Sequence, residues 1–180
     1  REMVYGRNAV REALKGKRAV HRVVLVSRSV GERTAITEQE VFELCRETGR
    51  GRVPTSRITA ADMAAWLQTP EHQGIAAEVD PYPYADEAGL LAGFTLLVAL
   101  DSIQDPHNLG AIIRSAEACG AGVVIPRHRA AQVTPAVVKA SAGATEHASV
   151  ARVRNLSDFL EAAKKRGFWI YGAAAEATSD

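Results

Sequence analysis

The sequence predicts an α/β protein of two units: a small α/β unit over residues 1–79 and a parallel-sheet α/β unit over residues 95–180, joined by a linker at 80–94. Three observations carry this. Of the 180 residues 47% are apolar, enough for a sizeable core. Strand-like and helix-like segments alternate through the second half, the pattern of a parallel sheet covered by helices on both faces. Between the halves, Asp80-Pro81-Tyr82-Pro83-Tyr84-Ala85-Asp86 sets two prolines at alternating positions, which denies the backbone a helix and removes ladder donors.

In the first unit, residues 5–14 read as a helix and 22–26 as a strand. A second helix over 37–48 opens on the capping box Thr37-Glu38-Gln39-Glu40 and closes before Gly49. Ile58 introduces a third helix at Thr59-Ala60-Ala61-Asp62, running to about Leu67, and 74–79 reads as a closing strand. The second unit reads as strand 96–100, helix 109–119, strand 122–125, helix 135–141, strand 149–153, helix 157–166 and strand 168–171, with Gly120 and Gly167 as helix stops.

The charge balance narrows the function classes. Lys and Arg number 22 against 21 Asp and Glu, for a formal charge of +1, so any nucleic-acid site must be a local patch. Apolar runs such as 96–100 and 121–125 fall far short of the roughly 20 residues that a membrane helix needs. The start Arg1-Glu2-Met3 lacks the apolar stretch of a signal peptide, so a soluble, cytoplasmic protein without membrane contact is expected. Cys45 and Cys119 match no metal or redox spacing and are expected as buried apolar side chains, which excludes a disulfide framework. His72, His107, His128 and His147 are scattered, and no metal site is expected. The chain opens on Arg1 rather than Met, and residues 173–180 break off directly after a strand-like segment, so a fragment is expected.

Parallel sheets bind ligands at the carboxyl ends of their strands, so the chemistry is sought after Leu100. The loop reads Asp101-Ser102-Ile103-Gln104-Asp105-Pro106-His107-Asn108-Leu109-Gly110-Ala111-Ile112-Ile113-Arg114. Asn108 is expected as N-cap of a helix whose free amides suit an anion. Gly110 lies one turn before Arg114, and long helical side chains lean toward the N-terminus, so Arg114 is expected to reach over Gly110 toward Asn108. A solvated arginine and a plain cap fit the same spacing, and both readings stand at this point. A single glycine in this turn opposes a dinucleotide site, which needs three. No Walker-type Gly-Lys-Ser/Thr and no Gly-x-Ser-x-Gly elbow occurs.

The stretch from Leu100 to Gly120 closely resembles the first motif of the SpoU family (SPOUT superfamily) of RNA 2′-O-ribose methyltransferases. Val4-Tyr5-Gly6-Arg7-Asn8-Ala9-Val10 and His72-Gln73-Gly74 are similar to the family's amino-terminal RNA-binding domain, and Lys139-Ala140-Ser141-Ala142-Gly143-Ala144 to its mid-domain signature. The resemblance covers essentially the whole chain and is strongest to the 23S ribosomal RNA guanosine-2′-O-methyltransferases. It implies an RNA substrate-binding domain, a catalytic domain of trefoil-knot type, a homodimer and S-adenosylmethionine as methyl donor. The family's two later motifs, a Gly-rich Glu-containing loop and a Ser/Asn-containing segment, do not occur before Asp180. The knot segment and main cofactor motifs are therefore expected beyond it, with no cofactor-binding residue assigned here.

The catalytic residues carried over by the resemblance are Asn108 and Arg114, with Gly110 as structural support. Arg7, Arg11, Lys15, Lys17, Arg18 and Arg22 crowd the first unit against only Glu12. They form a phosphate patch or a solubilising face, and Arg7, Arg11, Lys17 and Arg18 are taken as RNA-binding. Arg127 and Arg129 follow the strand ending at Ile125 and share a rim with Asn108. The leading reading is a ribosomal RNA 2′-O-ribose methyltransferase, the fragment itself being inactive alone. A transfer RNA methyltransferase and a non-catalytic RNA-binding module are the alternatives, and a nucleotide-binding oxidoreductase is opposed by the Gly-poor turn.

Overall fold

The computed structural model describes residues 1–27 and 37–173. Residues 174–180, with the expected break after a strand, lie outside the described residues. The first sheet contains β1 (Glu2–Tyr5), β2 (Val20–Val26), β3 (Thr55–Ile58) and β4 (Ile75–Val79) in the order β1-β4-β2-β3. β4 runs antiparallel to β1 and β2, while β3 runs parallel to β2. Helices α1 (Arg7–Lys15), α2 (Glu38–Glu47) and α3 (Ala60–Leu67) complete this unit. The Thr37 box forms as expected, with the Thr37 hydroxyl accepting from Glu40 N and the Glu40 carboxylate accepting from Thr37 N. Thr59 caps α3 in the same way, accepting from Asp62 N.

In the second unit β5 (Leu97–Ala99), β6 (Gly122–Pro126) and β7 (Val150–Val153) form a parallel sheet in that order. Helices α4 (Glu87–Gly93), α5 (Pro106–Ala118), α6 (Pro135–Ala140) and α7 (Leu156–Lys165) surround it, with a short 3-10 helix at Ala144–Glu146. Val123 and Ile125 of β6 pack on the α5–α6 side, while Val124 packs with Phe159 of α7 and Leu90 of α4. Both faces are therefore covered, as the alternation predicts.

Several expectations are corrected. Tyr5 ends a strand rather than opening a helix, because Gly6 at φ 93° breaks the backbone and donates its N–H to Ile75 O. The expected linker 80–94 contains α4, capped by Asp86 and anchored through Leu90 and Leu91. Residues 168–171 form no strand; Trp169 and Tyr171 stand 85% and 88% exposed, without a ladder partner among the described residues. β3 is an addition to the strands that the sequence predicts. Cys45 is buried, but Cys119 is exposed at the carboxyl end of α5.

One buried cluster runs from Val4 and Leu14 of the first unit through Tyr82 to Leu109 and Val123 of the second. The prolines thus space tyrosines that lock the seam rather than leaving it loose. Burial above all pushes the Tyr82 phenol up, so it stays protonated and donates to Thr145 O and Ala148 O, each at 3.1 Å. His147 Nε2 meets Glu12 Oε2 at 2.8 Å across the same seam. Among the described residues no helix is long and apolar enough to cross a membrane.

Candidate active site and RNA interface

The α5 amino end is built by Asp105 and Pro106. Asp105, not Asn108, is the N-cap: its carboxylate accepts Asn108 N–H at 2.9 Å, and Pro106 occupies the first turn, where no amide is needed. Asn108 therefore sits inside the first turn with its side chain exposed. Arg114 is exposed too and makes no hydrogen bond or ion pair among the described residues. At about 100° per residue the two lie some 120° apart around the helix. No bond links them, so a bound substrate would have to bring them to one reacting centre.

Gly110 is buried and serves a different purpose from the one its spacing suggests. A Cβ there would stand 2.6 Å from Ala140 Cβ and 2.9 Å from Ser141 N, so the glycine lets α6 pack against α5. Gly143 repeats this toward the first unit: its Cβ would meet Glu12 Cβ at 2.7 Å and Asn8 O at 2.9 Å. The Lys139–Ala144 motif is thus a wedge between α5 and α1. Gly110→Ala is expected to cost about 1–2 kcal/mol, because overpacking outweighs the helix-propensity gain of about 0.5–1 kcal/mol. Urea unfolding checks this; an unchanged or raised midpoint would show that the helices can separate freely.

The first unit reaches this site through one chain of interactions. Gln73 Oε1 accepts the Arg7 backbone N–H at 2.9 Å, and Lys139 Nζ pairs with Glu71 Oε2 at 2.6 Å in the same loop. The hydrogen bond from Lys139 holds the Glu71 carboxyl below its ordinary range, helped by Lys139's charge and, less, by His107 in the first turn of α5. Arg7 thus lies at the α5 end of α1. Sequence reasoning gives no role to Glu71 or to the Lys139 side chain; the only local signal is that Glu71 precedes His72-Gln73-Gly74 and Lys139 opens the mid-domain motif.

The remaining basic residues do not form one patch. Arg18 is corrected outright: its side chain is 2% exposed, paired with Glu146 and with Glu2 at 3.1 Å, and it donates to Asp80 O at 3.3 Å. It cannot face RNA. Lys15 pairs with Glu12 and Arg22 with Glu78, while Arg11 stands 3.9 Å from Glu40. Lys17 is exposed but lies past the far end of α1 from Arg7. Arg127 and Arg129 are both exposed on the loop after β6. That loop is tied to the loop after β5 by Ala131 N donating to Ile103 O at 2.7 Å, which puts it on the α5 rim.

Residues 3–85 match the family described as RNA 2'-O ribose methyltransferase substrate binding, and residues 95–180 match the SpoU rRNA Methylase family. A Bacillus subtilis relative, YacO, named as a putative member of the TrmH family of tRNA/rRNA methyltransferases, is 38% identical over 99% of this chain and 72% of its own length. The chain belongs to the SpoU family of RNA methyltransferases. A Synechocystis relative named as an uncharacterized tRNA/rRNA methyltransferase is 42% identical over 97% of this chain, which spans only 46% of that relative. Among solved structures, the SpoU methyltransferase AviRb from Streptomyces viridochromogenes superposes with a TM-score of 0.61 at 25% identity, covering 92% of this chain and 60% of that one. An AdoMet-bound rRNA methyltransferase from Sinorhizobium meliloti shares the fold, with a TM-score of 0.64 at 22% identity over 90% of this chain and 58% of its own. This SpoU-family chain thus corresponds to somewhat over half of those structures.

Proposed function

We propose that this SpoU-family chain is part of an enzyme that methylates a ribose 2′-hydroxyl in ribosomal RNA. In this reading residues 1–79 bind the RNA substrate, residues 95–180 carry the catalytic unit, and the protein acts in the cytoplasm as a homodimer. The observation that carries it is Arg114: an exposed guanidinium without a partner among the described residues, on the helix that leaves the carboxyl rim of the parallel sheet.

The donor in this reading is S-adenosylmethionine, the ligand named for the Sinorhizobium structure. The described residues do not by themselves fit it. Cavities of about 380, 670 and 710 Å³ occur, and none is lined by Asn108, Gly110 or Arg114. What this chain supplies is the ribose side of the reaction. A guanidinium is a donor of hydrogen bonds with no acceptor site and so no general base. Arg114 would instead stabilise negative charge growing on the 2′-oxygen, or hold the adjacent phosphate while that phosphate takes the proton. Asn108 would orient the ribose hydroxyls, and Arg7, Arg11, Lys17, Arg127 and Arg129 would hold the RNA backbone.

Incubation of the full-length protein that contains this chain with methyl-labelled S-adenosylmethionine and ribosomal RNA tests the reading, because a 2′-O-methyl group leaves the neighbouring phosphodiester resistant to alkali. Label in alkali-resistant dinucleotides is expected. Base-located label would contradict it, transfer RNA as sole acceptor would correct the substrate, and RNA binding without transfer would favour a non-catalytic module. Reversing Arg7, Arg11 and Lys17 to Glu is expected to weaken RNA binding and flatten its salt dependence, since fewer counterions are released. An unchanged slope in a salt titration would assign these residues to solubility alone.

A further inference from the structure

We propose that Arg152 and Arg154 extend the rim arginines Arg127 and Arg129 into a second RNA-binding surface, with Arg152 held in place by stacking on Tyr84. The proposal rests on the RNA-directed reading above and adds to it a surface made largely by β7 and the tyrosine-bearing connection. All four arginines are exposed. Among the described residues none has a carboxylate within 4.0 Å, whereas Arg11, Lys15, Arg18 and Arg22 of the first unit each face a glutamate. Positive charge left unneutralised by neighbours thus gathers on this rim.

The backbone puts these side chains on one side of the sheet. Val123 and Ile125 of β6 face the α5 side, so alternation carries Arg127 to that side. In β7, Ala151 and Val153 face the α4–α7 side, which leaves Arg152 on the α5 side. The strands are in register there: Arg127 N donates to Val153 O at 2.9 Å, and Arg127 Nε donates to Arg152 O at 3.3 Å. Arg154 follows Arg152 by two residues on the exit from β7.

Arg152 is placed rather than merely solvated. Its Cζ lies 3.9 Å from the Tyr84 ring centroid. Tyr84 is fixed in turn by an edge-on approach to Tyr82, ring centroids 4.9 Å apart, and by its hydroxyl, which accepts Val133 N–H at 2.8 Å. A solubilising arginine needs no such platform. A guanidinium held over an aromatic ring leaves N–H groups for phosphate oxygens and an apolar surface for an unpaired base. Single-stranded or looped RNA has both groups accessible, and that is the partner this surface fits. Because the loop after β6 is tied to the loop after β5, a strand crossing these arginines leads to the amino end of α5.

The test is anisotropy of a fluorescent mixed-sequence single-stranded RNA oligomer, titrated at several salt concentrations. For Arg152→Gln with Arg154→Gln, affinity is expected to fall about 10-fold and the slope of log K against log salt by about 1.4, roughly 0.7 for each phosphate that is no longer neutralised. Arg154→Gln alone, which breaks no bond within the protein, is expected to reduce the slope by about 0.7. Arg152→Lys keeps the charge without the planar stack; an unchanged slope with a several-fold weaker affinity is expected, and wild-type affinity would overturn the role of stacking. Wild-type affinity and slope in both Gln variants would overturn the surface while leaving the RNA-directed reading intact. A wild-type protein that binds no RNA would overturn both.

Discussion

Glu146→Ala is expected to destabilise the protein by about 3–5 kcal/mol, because it strands a buried guanidinium. The Glu146 and Arg18 side chains are 1% and 2% exposed, and Glu146 accepts from both Nε and Nη2 of Arg18. Its removal leaves Arg18 with Glu2, the Asp80 carbonyl and the Tyr82 ring, whose centroid lies 5.7 Å from Cζ. The pair joins the end of α1 to the 3-10 helix, so its loss should loosen the seam between the two sheets. Replacing both partners with apolar residues, as in Arg18→Met with Glu146→Leu, should recover much of the loss, because neither charge is then left buried alone. Urea unfolding measures both. A loss below about 1 kcal/mol in the single variant would show that water reaches the pair in solution.

The second large effect is on catalysis. In the full-length protein, Arg114→Ala is expected to lower methyl transfer by roughly 100-fold or more, the usual consequence of removing one preorganised charge interaction with a transition state. Stability should change by no more than about 0.5 kcal/mol, since the side chain is exposed and without a partner among the described residues. Arg114→Lys keeps the charge but not the planar fork, so it should recover only part of the rate. Single-turnover transfer to ribosomal RNA, beside an unfolding curve, separates the two effects. Near-normal transfer by Arg114→Ala would remove this residue from the reaction.

The capped helices and the parallel sheet are legible in the sequence because their causes are local. Thr37 and Glu40 lie three residues apart, and the short continuous apolar run of β6 marks a buried strand without a distant partner. The cap of α5 lies three residues before the expected one, since Asp105 and Asn108 are both good caps and only the placement of Pro106 in the first turn decides between them. α4 is hidden because the prolines before it suggest an extended segment, while Asp86 and the apolar pair Leu90-Leu91 start the helix just beyond them. The burial of Arg18 is not legible at all. Its partners Glu146 and Glu2 lie 128 and 16 residues away, so its burial belongs to the tertiary fold and leaves no local mark. Gly110 stands out in the sequence as structural support, but its reason, the approach of Ala140 and Ser141, lies on another helix.

In the proposed reading the reacting nucleotide lies at the amino end of α5, beside the loops after β5 and β6. Photo-cross-linking of a bound ribosomal RNA substrate carrying a photoreactive nucleotide next to the methylated ribose, with the attached peptides located by mass spectrometry, tests it most directly. Cross-links should fall within residues 101–114 and 127–134, and should fade when unlabelled substrate competes. Cross-links confined to α7 and residues 168–171, on the opposite face of the sheet, would contradict the placement of the site.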